Sequence, residues 1–275
     1  MEIHVAGTRG SRPTTGPGVV RYGGDTACIA VAPDGVDKPV ILLDAGTGIS
    51  NVTPLMAGEP FDGSILLGHL HWDHMQGLPF FPPADRPDSR VDLYVPAQDL
   101  DAEAALARFM SPPNFPIAPS QLRGSWRFRG LEEGEHRIEG FRVLALEIPH
   151  KGGRTFGYRL EHGGASIAYL SDHSPTTPGP GPEGIGEYHE AAVRLAEGVD
   201  LLIHDAQYTA GEFAERSDWG HCAVDYPIRL AEKVGAGRVL LFHHDPGHDD
   251  DFLDRLGAGL PDGVEFAVQG TRLIV

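Results

Sequence analysis

Four potential metal ligands lie within six residues of the chain, in the order His69, His71, Asp73 and His74. They directly follow the apolar run 64–68, which is typical of a buried strand. In an extended segment His69 and His71 point the same way, while Asp73 and His74 on the following turn can face a neighbouring position. A polar surface turn would not explain three imidazoles directly after a buried strand. The segment therefore predicts a metal site.

The pattern His-x-His-x-Asp-His after a hydrophobic strand resembles the metallo-β-lactamase superfamily. This resemblance implies an α/β fold, the four-layer αββα metallo-β-lactamase sandwich, with metal ligands at the ends of strands. Three further residues follow in the family's order, each at the end of an apolar run: His150, Asp172 and His243. By the resemblance, one ion is held by His69, His71 and His150, the other by Asp73, His74 and His243, and Asp172 bridges them.

The expected cofactor is a pair of divalent metal ions. Imidazoles and carboxylates without thiolates suit Zn²⁺ most directly, with Mn²⁺ and Fe²⁺ as alternatives. The doublet His243-His244 leaves open which histidine is the ligand, because strand alternation sends the two side chains to opposite faces. His173 and His248 stay open as residues at the mouth of the site.

Two neighbouring ions lower the pKa of a shared water and neutralise charge on the attacked group, so the expected nucleophile is a bridging hydroxide. Asp73 is the candidate for orienting this water and taking its proton. The sequence has neither a Gly-x-Ser-x-Gly elbow nor a Walker loop, which argues against serine hydrolases and nucleoside triphosphatases of those classes.

Residues 201–208 and 219–221 resemble the phosphodiesterase branch of the superfamily, which includes ribonuclease Z and phosphoribosyl cyclic phosphodiesterases. The resemblance implies that His221 contacts the scissile phosphate and that Asp205 supports it. A histidine in a surface loop is the alternative for His221. The glycine-rich segments 7–11 and 22–26 extend the resemblance along essentially the whole chain, and the role of the arginines near them is open.

A small anionic substrate is expected. Ribonuclease Z carries a long tRNA-binding arm between the residues corresponding to His150 and Asp172, but only 21 residues separate them here. The formal net charge of −17 also disfavours long nucleic acids. The prediction is hydrolysis of a cyclic nucleotide or cyclic phosphate ester. The alternatives are a ribonuclease Z-like nuclease, a lactonase-type metallohydrolase and a non-catalytic metal-binding accessory protein.

The chain of 275 residues is expected to form one domain over 1–275. Its start lacks the charged leader of a secreted protein, and no run reaches the ~20 apolar residues that span a bilayer, so we expect a cytoplasmic protein. Two cysteines, Cys28 and Cys222, are too few for a disulfide framework. A homodimer is left open.

The elements that would position the site are mostly strands. Apolar runs bounded by glycine, proline and aspartate predict strands at 2–6, 27–32, 40–44, 64–68, 91–95, 141–148, 156–161, 165–171, 199–204, 238–243, 264–268 and 272–275. Helical periodicity predicts helices at 99–110, 186–197, 225–234 and 250–256. The segments 7–24, 111–120 and 174–184, rich in glycine and proline, are predicted loops.

Overall fold

A computed structural model describes residues 1–181 and 183–275, and its strands form two seven-stranded sheets. The first sheet has the order β14-β1-β2-β3-β4-β5-β6 and the second the order β13-β12-β11-β10-β9-β8-β7. In chain order the strands are β1 (Glu2–Gly7), β2 (Cys28–Ala32), β3 (Ile41–Leu43), β4 (Asp62–Leu66), β5 (Arg90–Pro96), β6 (Ser125–Leu131), β7 (Gly134–Ile138), β8 (Phe141–Glu147), β9 (Phe156–His162), β10 (Ala165–Leu170), β11 (Leu201–Asp205), β12 (Arg238–Phe242), β13 (Val264–Phe266) and β14 (Arg272–Ile274).

The helices are short and cover the outer faces of the sheets. The α-helices are α1 (Trp72–Met75), α2 (Ala102–Ala107), α3 (Glu190–Ala196), α4 (Ala210–Arg216), α5 (Asp225–Val234) and α6 (Asp250–Gly257). Segments of 3₁₀-helix occur at Pro17–Val19, Thr47–Met56, Leu78–Phe80 and Pro119–Gln121. Among the described residues, no helix combines the length and apolar character needed to cross a bilayer.

Continuous apolar runs form the central strands because both faces of each sheet are buried. In β4, Leu66 packs into the core between the sheets and Ile65 packs under the helical layer of the first sheet. In β10, Tyr169 joins the same central core and Leu170 packs under α3 and α5 on the other side. The order is therefore helices, sheet, sheet, helices, which is the predicted αββα sandwich.

The topology brings several strand ends to one edge of the sandwich. Strands β10, β11 and β12 are mutually parallel, so their carboxyl ends lie side by side. In the first sheet β3 and β4 are parallel as well, with Leu43 opposite Leu66. Residues that directly follow these strands are thereby collected at this edge.

All predicted strands are present, with ends within two residues of the prediction. Two strands were missed, β6 and β7, each of which is an edge strand of its own sheet. Alternation of Trp126, Phe128 and charged residues in β6 leaves much of the strand exposed, and β7 is similarly polar. Edge strands of this kind lack the continuous apolar run on which the prediction depended.

Two helix predictions were too long. The helix predicted at 99–110 begins only at Ala102, because Asp101 adopts an extended backbone and its side chain accepts the N–H of Ala104 at 3.0 Å as an N-cap. The helix predicted at 186–197 begins at Glu190, since Gly186 has a φ of 118° that no helix accommodates. Helix α4, with a Thr209 cap, was not predicted.

Candidate metal centre

Five strand ends supply the residues of the site. His69 and His71 follow β4, and the single-turn helix α1 then carries Asp73 and His74. The remaining strands of the site are β8, β10, β11 and β12, which lead into His150, Asp172, Asp205 and His243, respectively. The structure brings all seven predicted ligands together in two adjoining groups, and a third group joins Asp172 and His243 with His221.

The first group contains His69, His71, His150 and Asp172, whose donor atoms all lie within 4.8 Å of one another. His150 Nε2 is 3.3 Å from His71 Nδ1 and 3.4 Å from Asp172 Oδ2. His69 Nε2 lies 3.6 Å from the same carboxylate oxygen. Two imidazoles, those of His69 and His150, therefore face one oxygen of Asp172, and His71 adjoins His150.

The second group contains Asp73, His74 and His243. His74 Nε2 lies 3.0 Å and His243 Nε2 lies 3.2 Å from the other oxygen of Asp172, Oδ1. Each of the two Asp172 oxygens thus faces a different group. A carboxylate placed in this way is suited to join two cations.

The donor atoms fit metal ions better than they fit one another. His69 is buried, and neither of its ring nitrogens has a hydrogen-bond partner within residues 1–181 and 183–275. Asp172 Oδ1 is close to the nitrogens of His74 and His243 but makes no hydrogen bond with them. His74 Nε2 and His243 Nε2 lie only 3.3 Å apart. Buried polar atoms without partners cost folding free energy unless a ligand satisfies them. Imidazole nitrogens and carboxylate oxygens are ligands that divalent ions prefer.

The electrostatics of the cluster agree with this fit. Burial lowers the pKa of His69 well below its ordinary value and that of His150 to about 4, which keeps both rings neutral, the form that binds metal. Burial also opposes protonation of His74, yet the carboxylates of Asp172 and Asp73 raise its pKa well above the ordinary value. The carboxylates therefore favour positive charge at the centre, which bound cations supply.

Asp44, which the sequence analysis missed, orients His74. The Nδ1–H of His74 donates to Asp44 Oδ2 at 2.7 Å, and Asp44 also accepts the backbone N–H of Gly68 at 2.7 Å and the hydroxyl of Tyr169 at 2.6 Å. This hydrogen bond leaves His74 Nε2 as the atom facing the centre. Asp44 directly follows β3, and the parallel pairing of β3 with β4, which the sequence pattern does not give, places it beside Gly68.

Gln207 plays a comparable part for His243 and was also missed. The Nδ1 atom of His243 lies 3.2 Å from Gln207 Oε1, and Gln207 Nε2 donates to Ser11 Oγ at 3.2 Å. Gly10 packs so closely that a Cβ there would lie 2.5 Å from the His243 ring, so only glycine fits. His243 is thereby held with Nε2 towards Asp73 and His74.

His244 points away from the centre. Its Nε2–H donates to the carbonyl oxygen of Ala267 at 2.7 Å, and its ring packs against Tyr22 and Phe266. Burial lowers the pKa of His244 to about 3. Of the two neighbouring histidines, the geometry favours His243 as the ligand.

His221 and Asp205 form a buried pair beside both groups. The Nδ1–H of His221 donates to Asp205 Oδ2 at 2.9 Å, and its ring stacks on His243 with centroids 5.0 Å apart. Asp205 is fixed by the backbone N–H groups of His173 and Gln207. Burial lowers the pKa of His221, but Asp205 outweighs that effect and raises it above the ordinary value. His221 lines a cleft of about 430 Å³ above the cluster.

The other open candidates lie outside this cleft. His173 is buried next to His204, and His248 Nε2 lies 2.8 Å from Glu212 Oε1. Arg9 is fully buried and donates to the carbonyl oxygens of Gly23 and His248. Its guanidinium therefore links the two loops that contain these residues.

Comparisons with known proteins bear on this site. A family model described as a beta-lactamase superfamily domain matches residues 40–244, well over half of the chain. Ribonuclease BN of Salmonella paratyphi C (strain RKS4594) is 25% identical in an alignment of 298 positions that covers 93% of this chain and 93% of that protein. A diphosphatase of the PhnP family has a TM-score of 0.74 at 20% identity, covering 100% of this chain and 97% of that one. Zn²⁺-bound PqqB from Methylobacterium extorquens has a TM-score of 0.69 at 19% identity, with 100% of both chains covered. The chain thus belongs to the β-lactamase superfamily and has the metallo-β-lactamase fold of its hydrolases, with His/Asp clusters suited to divalent metal ions.

Proposed function

We propose that the protein is a binuclear metal-dependent phosphodiesterase acting on a small cyclic nucleotide or cyclic phosphate ester. The observation that carries the proposal is the position of His221, which Asp205 holds against the two ligand groups. Phosphodiester cleavage needs a proton for the departing oxygen and positive charge near the phosphorane. Lactone hydrolysis does not need a pair such as His221 and Asp205.

The two ligand groups would hold the ions, and Asp172 would be shared between them. Bound divalent ions would act as Lewis acids on the phosphate and lower the pKa of a water between them. Zn²⁺ is the metal that the imidazole-rich donor set favours, with Mn²⁺ and Fe²⁺ as alternatives. Zn²⁺ in the related fold of PqqB supports this choice.

Asp73 and His221 would handle the protons. Asp73 Oδ2 accepts the backbone N–H of Ser11 at 2.7 Å, which fixes the carboxylate so that it can orient the attacking water. The Nδ1 atom of His221 is engaged by Asp205, so Nε2 is the atom that would give a proton to the leaving oxygen. Asp205 would act through His221 by fixing its orientation and favouring its charged form.

A small substrate is supported by the short connection between two of the ligands. Between His150 and Asp172 the chain forms only β9, β10 and their tight turn, which pair within the second sheet. No segment there is long enough for a tRNA-binding arm. Together with the net charge of −17, this favours a small anion over a polynucleotide.

The second candidate function is a ribonuclease Z-like nuclease, which the similarity to ribonuclease BN favours. A lactonase-type metallohydrolase and a non-catalytic metal-binding accessory protein are further alternatives from the sequence. We also propose that residues 1–275 form a single domain and that the protein acts in the cytoplasm; a homodimer is the assembly that the sequence leaves open.

The proposal is tested with protein stripped by a chelator and reloaded separately with Zn²⁺, Mn²⁺ or Fe²⁺. Each form is assayed on 2′,3′- and 3′,5′-cyclic nucleotides, a precursor tRNA and a lactone. We expect metal-dependent hydrolysis of at least one cyclic phosphodiester and none of it in the stripped protein. Cleavage of the precursor tRNA or the lactone alone, or no turnover at all, would overturn the proposal.

A further inference from the structure

A second cavity, of about 700 Å³, adjoins the catalytic cleft. Leu70 and Trp72 line both, so a ligand can extend from one into the other along the protein surface. The far wall is formed by helix α2 and by the loop 111–120, which has no part in the proposed chemistry. Pockets of this volume that combine aromatic walls with a few polar groups are typical small-molecule sites.

Aromatic rings form one side of this cavity. Trp72 is 69% exposed although it lies between two ligands in the chain, and its ring centroid is 5.8 Å from that of Phe109 at a tilt of 41°. Leu100 and Met75 complete an apolar wall. An exposed indole face beside a cavity is well suited to stacking on a planar ring, as in proteins that bind bases.

Uncommitted polar groups face the same space. Within residues 1–181 and 183–275, Arg108 forms no ion pair and the Asn114 amide makes no side-chain hydrogen bond, while both line the cavity. Arg154, by contrast, is engaged by Glu147 at 2.9 Å and by the carbonyl oxygen of Ala97 at 2.9 Å. An amide side chain can both donate and accept hydrogen bonds, so it commonly recognises the polar edge of a nucleobase. A guanidinium can donate to the acceptor atoms of the base.

We propose that this cavity binds the nucleobase of a nucleotide whose phosphodiester lies over the metal centre. The inference rests on the proposed phosphodiesterase function and narrows its substrate from cyclic phosphate esters in general to nucleotides. Trp72 and Phe109 stack on the base, and Asn114 and Arg108 contact its edge. These residues determine specificity and take no part in the chemical step.

The test compares two substrates that differ only in the base: 2′,3′-cyclic AMP and the abasic methyl β-ribofuranoside 2,3-cyclic phosphate. Hydrolysis by the metal-loaded enzyme is followed by phosphorus NMR. We expect kcat/KM to be about tenfold or more higher for cyclic AMP, mainly through KM, in line with the strength of base stacking. The ratio of kcat/KM for cyclic AMP to kcat/KM for the abasic substrate falls towards one in Phe109→Ala and Trp72→Ala. Trp72→Phe keeps an aromatic ring and retains most of the wild-type ratio.

Ile274→Ala is the control, because Ile274 is 66% exposed and lies in β14, outside the cavity; its ratio stays at the wild-type value. Adenosine binding to metal-free protein, read as quenching of tryptophan fluorescence, gives a second measurement that needs no turnover. We expect quenching in wild type and its loss in Trp72→Phe. Equal kcat/KM for both substrates overturns the base site while leaving the phosphodiesterase intact. No hydrolysis of these two substrates or of any cyclic nucleotide in the panel overturns both proposals.

Discussion

The Nδ1–H of His221 donates to Asp205 Oδ2 across 2.9 Å, and the same nitrogen lies 3.8 Å from Asp172 Oδ2. His221 therefore lies beside the carboxylate that both ligand groups share, and one of its ring nitrogens is within 4.8 Å of donor atoms of Asp172 and His243. Because Asp205 engages its Nδ1 atom, we assign His221 to proton transfer rather than to metal binding. Its Nε2 atom remains for the cleft. Measuring the metal content and the reaction rate of the same His221 variant distinguishes these two roles.

We expect His221→Ala to lower kcat for cyclic phosphodiesters by about 10²- to 10⁴-fold, because the leaving oxygen loses its proton donor. Metal content should stay at the wild-type value. Asp205→Asn should give a smaller loss and shift the pH profile. Steady-state kinetics and elemental analysis check both, with His136→Ala on the distant strand β7 as control. An unchanged rate in His221→Ala would contradict the assigned role.

We expect Asp44→Asn to weaken metal binding about 10- to 100-fold. Asparagine tolerates the φ of 60° at this position, but its amide places an N–H₂ group against a donor, either Gly68 N–H or His74 Nδ1–H. Competition with a chelator measures the affinity, and the exposed Asp37→Asn is the matched control. Wild-type affinity in Asp44→Asn would show that His74 does not depend on this carboxylate.

We expect Gly220→Ala to impair the group that contains His150. Gly220 has a φ of 99°, and a Cβ there would lie 3.0 Å from the His150 ring, whose Nδ1–H donates to the Gly220 carbonyl oxygen. The substitution should lower metal affinity and kcat together. Gly211→Ala is the control, since its Cβ meets open space within a helix. Identical behaviour of the two variants would argue against the close fit.

We expect the stability of metal-free protein to fall as the pH drops from about 6.5, in part because of His244. Burial lowers its pKa to about 3, so below 6.5 the unfolded chain binds a proton that the folded protein refuses. This one residue should cost about 1 kcal/mol of unfolding free energy at pH 5.5 relative to pH 7.5. Denaturant titrations at both pH values measure the fall in unfolding free energy between pH 7.5 and pH 5.5. This fall should be smaller in His244→Gln than in wild type and unchanged in His136→Gln. Equal losses in all three proteins would contradict the buried neutral ring.

The fold and ligand cluster could be predicted because the relevant signals are local in sequence. Buried strands give continuous apolar runs, and His69 to His74 lie within a single short segment that follows one of them. His150, Asp172 and His243 required the family resemblance, since each lies far along the chain from the other ligands and has no ligand pattern around it. Their convergence depends on pairing that the sequence pattern does not give: β8 and β10 both run antiparallel to β9, and β10, β11 and β12 run parallel to one another.

Asp44 and Gln207 could not be found in the same way because their roles depend on contacts with distant residues. Asp44 acts on a histidine 30 positions away and Gln207 on one 36 positions away. Neither has a local pattern that distinguishes it from an ordinary turn residue. The pairing of β3 with β4, which places Asp44 beside Gly68, is the information that the sequence pattern lacked.

We propose that two metal ions would share the carboxylate of Asp172, and the number of ions per chain tests this most directly. Protein reloaded with Zn²⁺ and freed of excess by gel filtration is analysed by mass spectrometry for metal content. We predict two ions per wild-type chain and at most one in Asp172→Ala. A saturated wild-type protein that holds one ion or none would contradict the binuclear centre.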